Sequence, residues 1–324
     1  MKTLKLLIFI GLVLAQTSCS TKKQEPIQVI ITSHVSLASL PSASGISFYK
    51  SNIYIVGDDS PWIYRMDKPK EATQLIKLSA IDSIVNGRTP KKIKADFECM
   101  EQLLFQAEDY LLVLSSGSDP ITRDTASLIA LETGEIIVKK NIRPLYEKIK
   151  MSAGITGDDE INIEGLAVSK TEAYLFHRGN ISGNIVISIG LKSLVSYLRN
   201  EQLNIPDFTV YHFELPEYEG TKSGFSGACM LPGNRGVLFT ASMEKTDNVY
   251  DDGQIAGSYM GIISLEGLSK GEFRATLVRS KQTVLKKKLE GVTIKSATNN
   301  KMVILAVSDN DDGTSDLFEM EVSF

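Results

Sequence analysis

The sequence predicts an all-β chain folded as a β-propeller of five blades, each blade four antiparallel strands. One hairpin signature recurs five times at near-constant spacing, and the first four copies are each followed by two further strand-like runs. A third observation, at the two ends of the chain, predicts how the ring closes.

The signature is a small or acidic residue, then Gly or a small substitute, alternating apolar residues, a polar turn and a very apolar second strand. Its copies begin at Ser44-Gly45, Glu98-Cys99, Glu164-Gly165, Ser226-Gly227 and Glu290-Gly291, in steps of 54, 66, 62 and 64 residues. The strand-like runs that follow are Trp62–Met66 and Gln74–Leu78, Ser127–Leu131 and Ile136–Lys140, Ile185–Ile189 and Thr209–Phe213, and Tyr259–Leu265 and Ala275–Arg279. The fifth copy has only three strands, ending at Leu317–Val322, so the missing fourth is expected from the N-terminus, at Ile27–Ile31 or Val35–Leu40. Closing the ring with a strand from each end removes an open sheet edge. Six blades are the alternative, if an irregular region hides a degenerate copy. Two long connections, Ile81–Lys94 and Ile142–Asp159, depart from the pattern; the second predicts a short helix at Leu145–Lys150. Leu191–Leu203 carries apolar residues at helical spacing and predicts an amphipathic helix packed over a blade edge.

The first residues address the compartment. Lys2 and Lys5 precede an apolar run, Leu6–Ala15, which has the length of a signal-peptide core and is too short to span a bilayer. Cys19 follows Thr17 and Ser18 in the manner of a lipobox, although Gln16 stands where an aliphatic residue is usual. The expected organisation is a signal peptide over 1–18, a lipidated tether over 19–26 and one propeller domain over 27–324. Cleavage after Ala15, with Val13 and Ala15 as the small residues, is the alternative. The tether lacks an acidic run, which favours an outer-membrane anchor facing the periplasm. No other apolar run reaches the length of a membrane span.

The formal charge is −4, and loss of Lys2 and Lys5 with the leader makes it −6. A mildly acidic chain whose one basic run is Lys286–Lys288 is a poor nucleic-acid binder, and that triplet reads as a solvated loop. The expected partners are the lipid bilayer, through Cys19, and an unidentified small molecule or envelope protein, with the domain a monomer. Cys99 and Cys229 lie in apolar runs of different repeats; two buried thiols are favoured over one disulfide.

In a blade, the start of the first strand and the end of the second lie at the same face. Glu98, Glu164 and Glu290, with Ser44 and Ser226, should therefore ring one mouth of the central channel. Asp58, Asp59, His177, Arg178, Asp309 and Asp311, at the second-strand ends, should line the same rim. Three carboxylates at one axis repel unless a positive charge lies between them, and Ca²⁺, which takes oxygen ligands, is the natural candidate. Glu98, Glu164 and Glu290 are thus candidate metal ligands, and the six rim residues candidate ligand-binding residues, Arg178 offering a fork to an anion. Each Glu could instead latch onto backbone amides of the next blade. Asp309–Asp316 resembles a calcium loop but departs from the EF-hand spacing, and turn chemistry accounts for it equally. One rim histidine cannot build a three-histidine zinc site, and a Ser–His–Asp triad through Ser115 or Ser242 lacks any nucleophile-elbow motif.

The motifs Ile163–Val168 (IEGLAV), Leu289–Ile294 (LEGVTI), Ser44–Ile46 (SGI) and the Gly57–Asp59 turn give the chain a resemblance to esterase-like and phytase-like propellers. More narrowly, it resembles a branch found as lipoproteins in Bacteroidota, over roughly residues 40 to 322. The same short motifs occur in the senescence-marker/gluconolactonase type. There a blade-start Glu helps hold a divalent metal, which carried over points to Glu98, Glu164 and Glu290. The resemblance implies hydrolysis of an ester or phosphoester. The phosphate-binding set of the alkaline phytases is not recognisable, and Asp58–Ile63 follows a second strand rather than opening a blade. A non-catalytic binding or scaffold propeller of the envelope is the alternative function.

Overall fold

The computed structural model describes residues 26–323, apart from residues 70, 80–82, 86, 158, 180 and 246–252. The expected leader, Cys19 and nearly all of the tether lie outside these residues.

Five four-stranded antiparallel sheets form the blades. Blade one is Ala43–Tyr49, Asn52–Gly57, Trp62–Met66 and Gln74–Lys77; blade two is Phe97–Phe105, Glu108–Ser115, Thr125–Ala130 and Ile136–Asn141. Blade three is Ile163–Val168, Glu172–His177, Asn184–Gly190 and Phe208–Phe213; blade four is Gly224–Met230, Gly236–Lys245, Gln254–Ser264 and Arg274–Leu277. Blade five takes Leu289–Ala297, Lys301–Asp309 and Ser315–Ser323 from the C-terminus and Gln28–Leu37 from the N-terminus. The two candidate closing segments are one continuous strand, interrupted by an irregularity between Ile31 and Ser33.

Apolar content is high in the second and third strands and falls at the fourth, because burial does. The second strands are buried over most of their length, as in Leu111–Leu114 between two neighbouring blades. The fourth strand of blade two alternates half-buried and exposed positions, as expected of a strand with only one covered face. The core accordingly lies between blades, as a ring of apolar clusters. Cys99 and Cys229 are free and buried.

The inner strands approach so closely that side chains are excluded. A Cβ on Gly227 would lie 2.0 Å from the Glu290 carbonyl oxygen, and one on Gly291 2.6 Å from that of Ser44. Four of the five blades accordingly carry glycine after the blade-start residue, whereas blade two accommodates the buried side chain of Cys99. Below the mouth the axis narrows to a cavity of about 10 Å³ between Glu98, Glu164 and these glycines, on the scale of one water molecule.

Two helices occupy connections. α1, Arg143–Ala153, buries Leu145, Tyr146 and Ile149 and ends at Gly154 in the left-handed conformation. Tyr146 donates to the Ser115 carbonyl at 2.6 Å, fixing the helix over blade two. α2 is Leu191–Leu198, shorter than the apolar spacing predicts. Asn200, at φ 59°, turns the chain away, and the amide of Glu201 closes the turn on the Ser196 carbonyl.

Candidate metal and ligand site at the channel mouth

Every first strand carries a bulge at its start. The register skips between Ala43 and Gly45, Phe97 and Cys99, Ile163 and Gly165, Phe225 and Gly227, and Leu289 and Val292. The skipped residues include Ser44, Glu98, Glu164, Ser226 and Glu290. A bulged residue is released from strand alternation, so it can be turned toward the axis. The two serines act as latches. Ser44 Oγ donates to the Phe97 carbonyl of the next blade at 2.5 Å, and Ser226 Oγ to the Leu289 carbonyl at 2.7 Å. Glu164 accepts from Asn162 Nδ2 at 2.8 Å, and Glu290 pairs with Lys288 at 3.0 Å.

The three glutamates lie within electrostatic range of one another. Burial pushes the Glu98 carboxyl well above its ordinary range, reinforced by Asp96, Glu164, Asp58 and Glu290. Burial does the same to Glu290, with Asp309, Glu164 and Asp58 adding to the rise against the opposing pull of Lys288. Asp309 is pushed up to about 7 by burial, with Asp58 and Asp311 adding to it.

The mouth has two halves. On blades one and two, ligand atoms of Asp58, Asp96 and Glu98 all lie within 4.8 Å of one another, a set able to hold a metal ion. Lys94 Nζ reaches into this set, contacting Asp58 and, at 2.6 Å, Asp96 Oδ1. Asp96 also takes Arg123 at 3.0 Å and the Ser116 hydroxyl. Although burial opposes it, Lys94 and Arg123 hold the Asp96 carboxyl below its ordinary range. Asp96 sits at φ 57°, in the left-handed region that Asp adopts more readily than most side chains. Asp58 Oδ1 is buried with no hydrogen-bond partner among the described residues.

On blades three to five the charges are paired more completely. Arg178 donates to Ser242 Oγ at 2.7 Å and to Glu244 Oε1 at 3.1 Å. Lys288 bridges Glu244 at 3.2 Å and Glu290. Glu244 is held below its ordinary range by Arg178 and Lys288 in spite of its burial.

The expected rim residues thus have different settings. Asp58, Arg178 and Asp309 join the mouth with the three glutamates. Asp59 is engaged by Arg88, which also donates to Ser42 Oγ at 3.1 Å. Asp311 is exposed, and its amide donates to Asp309 Oδ1 at 3.0 Å, so this loop is organised by turn chemistry. His177 is fully buried: its Nδ1 accepts the Asn162 amide at 2.9 Å and its Nε2 lies 3.4 Å from Ser182 Oγ. Of the three proposed metal ligands, only Glu98 falls in the compact ligand set found among the described residues.

Lys94 and Asp96 belong to the mouth but were not singled out from the sequence, whereas Glu244 stands at a second-strand end, where the hairpin geometry places it on the rim. The reading of Lys286–Lys288 as a solvated loop is corrected. Lys288 is in the mouth, and Lys287 pairs with Asp316 at 2.7 Å and donates to Asn310 at 2.5 Å. A legible clue was position: Lys288, Asp96 and Asn162 each stand two residues before a blade-start Glu.

Two of these groups give opposite pH dependences. With Asp309 at about 7 against an ordinary 3.8, the unfolded chain releases its proton first, and stability falls as pH rises through that window. Burial lowers His177 to about 4 from 6.5, so the unfolded chain binds the extra proton and stability rises as pH climbs from about 4 to about 6.5. Relative to the unsubstituted protein, Asp309→Asn should gain stability toward neutral pH and His177→Gln toward acid. Urea denaturation at several pH values reads both, and parallel curves for variant and parent would refute the assignment.

A sequence model of a family of unknown function, DUF6929, matches residues 39–322. The chain belongs to that family. No curated protein sequence matches it. Among solved structures, the glutaminyl cyclase of Myxococcus xanthus is similar at 10% identity and TM-score 0.49, covering 92% of this chain and 99% of that one. The arabinanase of Bacillus subtilis gives 11% identity and TM-score 0.46, over 89% and 95%. The α-L-arabinofuranosidase of Podospora anserina gives 8% and 0.47, over 87% and 91%. These are likenesses of fold. The resemblance to esterase-like and phytase-like proteins is narrowed accordingly to the propeller and to membership of DUF6929.

Proposed function

We propose that this DUF6929 member is an envelope lipoprotein whose channel mouth is a cation-dependent ligand site, with Asp58, Asp96 and Glu98 holding the ion. The observation that carries this reading is the convergence of those three carboxylates around an Asp58 oxygen that is buried without a partner. An unsatisfied buried carboxylate oxygen is costly, and a cation relieves it while bringing the elevated Glu98 carboxyl back to its ionised form. Lys94 supplies the positive charge in the ion's absence and must swing aside to admit it. An all-oxygen donor set favours Ca²⁺ over softer metals. When bound, such an ion can polarise an ester or phosphoester oxygen and acidify a coordinated water. Glu164 and Glu290 face the ligand from the neighbouring blades, and Arg178 and Lys288 balance its negative charge.

The test is metal content and melting temperature of residues 20–324 with and without chelator. The expected result is one calcium per chain, a fall in melting temperature of several degrees on chelation, and loss of both in Glu98→Gln. Absence of metal, with no response to chelator or to added calcium, would leave Lys94 as the resident cation and end this reading. A positive result justifies an esterase and phosphatase screen.

A scaffold role is the second reading, and one observation favours it. Of the exposed large apolar side chains, Ile84, Val85, Ile93, Ile121, Met151 and Ile181 all stand on mouth-side connections. Gathered into one patch, such side chains would form a protein-binding rim. A photo-crosslinking residue at Ile121 should then give an adduct in cells that one at Leu203, on the opposite face, does not; equal patterns from both positions argue against it.

A further inference from the structure

We infer that the propeller stands on its anchoring membrane by the face opposite the mouth, so that the mouth takes its ligand from the aqueous compartment and not from the lipids around Cys19. The inference rests on the proposed lipidation of Cys19.

The direction of the closing strand carries it. In blade five, Lys301–Asp309 runs to the mouth and Ser315–Ser323 runs back to the far face. Gln28–Leu37 pairs antiparallel with that last strand, Gln28 opposite Ser323 and Leu37 opposite Ser315. The chain therefore enters the domain at the far face and climbs toward the mouth. Its point of entry is fixed, because Ile27 is buried in the same apolar cluster as Leu231, beside the far-face hairpin of blade four.

Length does the rest. Cys19 precedes Ile27 by eight residues, which reach at most about 26–29 Å when fully extended. The wall it would have to scale is the closing strand itself, 10 residues and about 30 Å high, with the mouth-side connections standing above it. A tether shorter than the wall cannot turn the mouth onto the bilayer. The surface held against the headgroups is instead made of the hairpins between first and second strands, such as Tyr49–Asn52, and of the segment following α2. Ligands carried on other molecules in the compartment reach the mouth; headgroups of the anchoring leaflet do not.

The single tryptophan of the chain makes this measurable. Trp62 opens the third strand of blade one, at the mouth side, whereas Leu203, 89% exposed, lies on the far face. Lipidated full-length protein in vesicles carrying a dansyl headgroup is compared with the double variant Trp62→Phe, Leu203→Trp in the same vesicles. The expected result is several-fold stronger energy transfer from the relocated indole of the double variant than from Trp62 of the parent. Stronger transfer from Trp62, or equal transfer from both proteins, overturns the inference. Failure of the anchor is read separately, as loss of co-flotation with vesicles that Cys19→Ser fails to change. In that event Cys19 of the unlipidated protein is coupled to a maleimide lipid, since Cys99 and Cys229 are buried, and the same two arms are measured.

Discussion

Arg178→Met is expected to lower the stability of the domain by about 3 kcal/mol, near the lower end of the cost of breaking a buried ion pair. Arg178 and Glu244 side chains are 10% and 11% exposed, so removal of the guanidinium strands a carboxylate out of water. The Ser242 hydroxyl loses its partner at the same time. Lys288, which also reaches Glu244, keeps the loss from being larger. Backbone space is committed to this arginine as well: a Cβ on Gly224 would lie 2.6 Å from Arg178 Cγ. Adding Glu244→Gln to the Arg178→Met background should restore part of the loss, with a coupling of about 1–3 kcal/mol in a double-mutant cycle. Independent, additive effects by urea denaturation would show that the pair does not act as a unit.

Gly227→Ala should be at least as damaging, for a reason of space instead of charge. The new methyl group would fall 2.0 Å from the Glu290 carbonyl oxygen and 2.7 Å from Thr240 Oγ1. That hydroxyl already donates to the same carbonyl at 2.6 Å, so the two neighbours cannot part without breaking a bond between blades four and five. Overpacking of a filled interior costs about 1–3 kcal/mol and occasionally more; we expect the top of that range. Ser226→Ala, one residue earlier, removes a hydrogen bond without adding volume and should cost only about 1 kcal/mol. If the two variants proved equally stable, the close approach of the inner strands would not be what excludes a side chain there.

The blades were legible because each repeats the same burial problem: an inner strand near the axis, second and third strands covered on both faces and a fourth covered on one. Periodic burial writes periodic sequence, so Ser44, Glu98, Glu164, Ser226 and Glu290 align and fall at one face on spacing alone. What each of them does could not be read the same way. Ser44 and Ser226 bond the next blade, while Glu164 accepts from Asn162, Glu290 pairs with Lys288 and Glu98 lies beside Asp96, and those neighbours come from irregular connections. Lys94 and Asp96 follow a stretch with no period, and Lys288 ends a triplet whose first member is exposed while the other two are paired. Pairing across blades leaves no local pattern. The buried state of His177 was hidden for a related reason: its partner amide, Asn162, belongs to the connection and not to the hairpin. The length of α2 was missed because apolar spacing continues past Asn200, where the backbone turns left-handed.

The closing strand also dictates an order of events. Gln28 and Ser323 are paired, so the first strand of the domain to be synthesised must wait for the last before blade five is complete. Loop-closure entropy for so distant a pairing grows only slowly with length, but topologies dominated by distant pairings fold slowly. Blades one to four can each form from one continuous stretch of chain; blade five cannot. Until then the third strand of that blade has no neighbour on its outer side, and the chain has an unpaired edge at each end. Any truncation that removes Ser315–Ser323 would fix the molecule in that open, aggregation-prone state, and closure of the ring must outrun association of those edges.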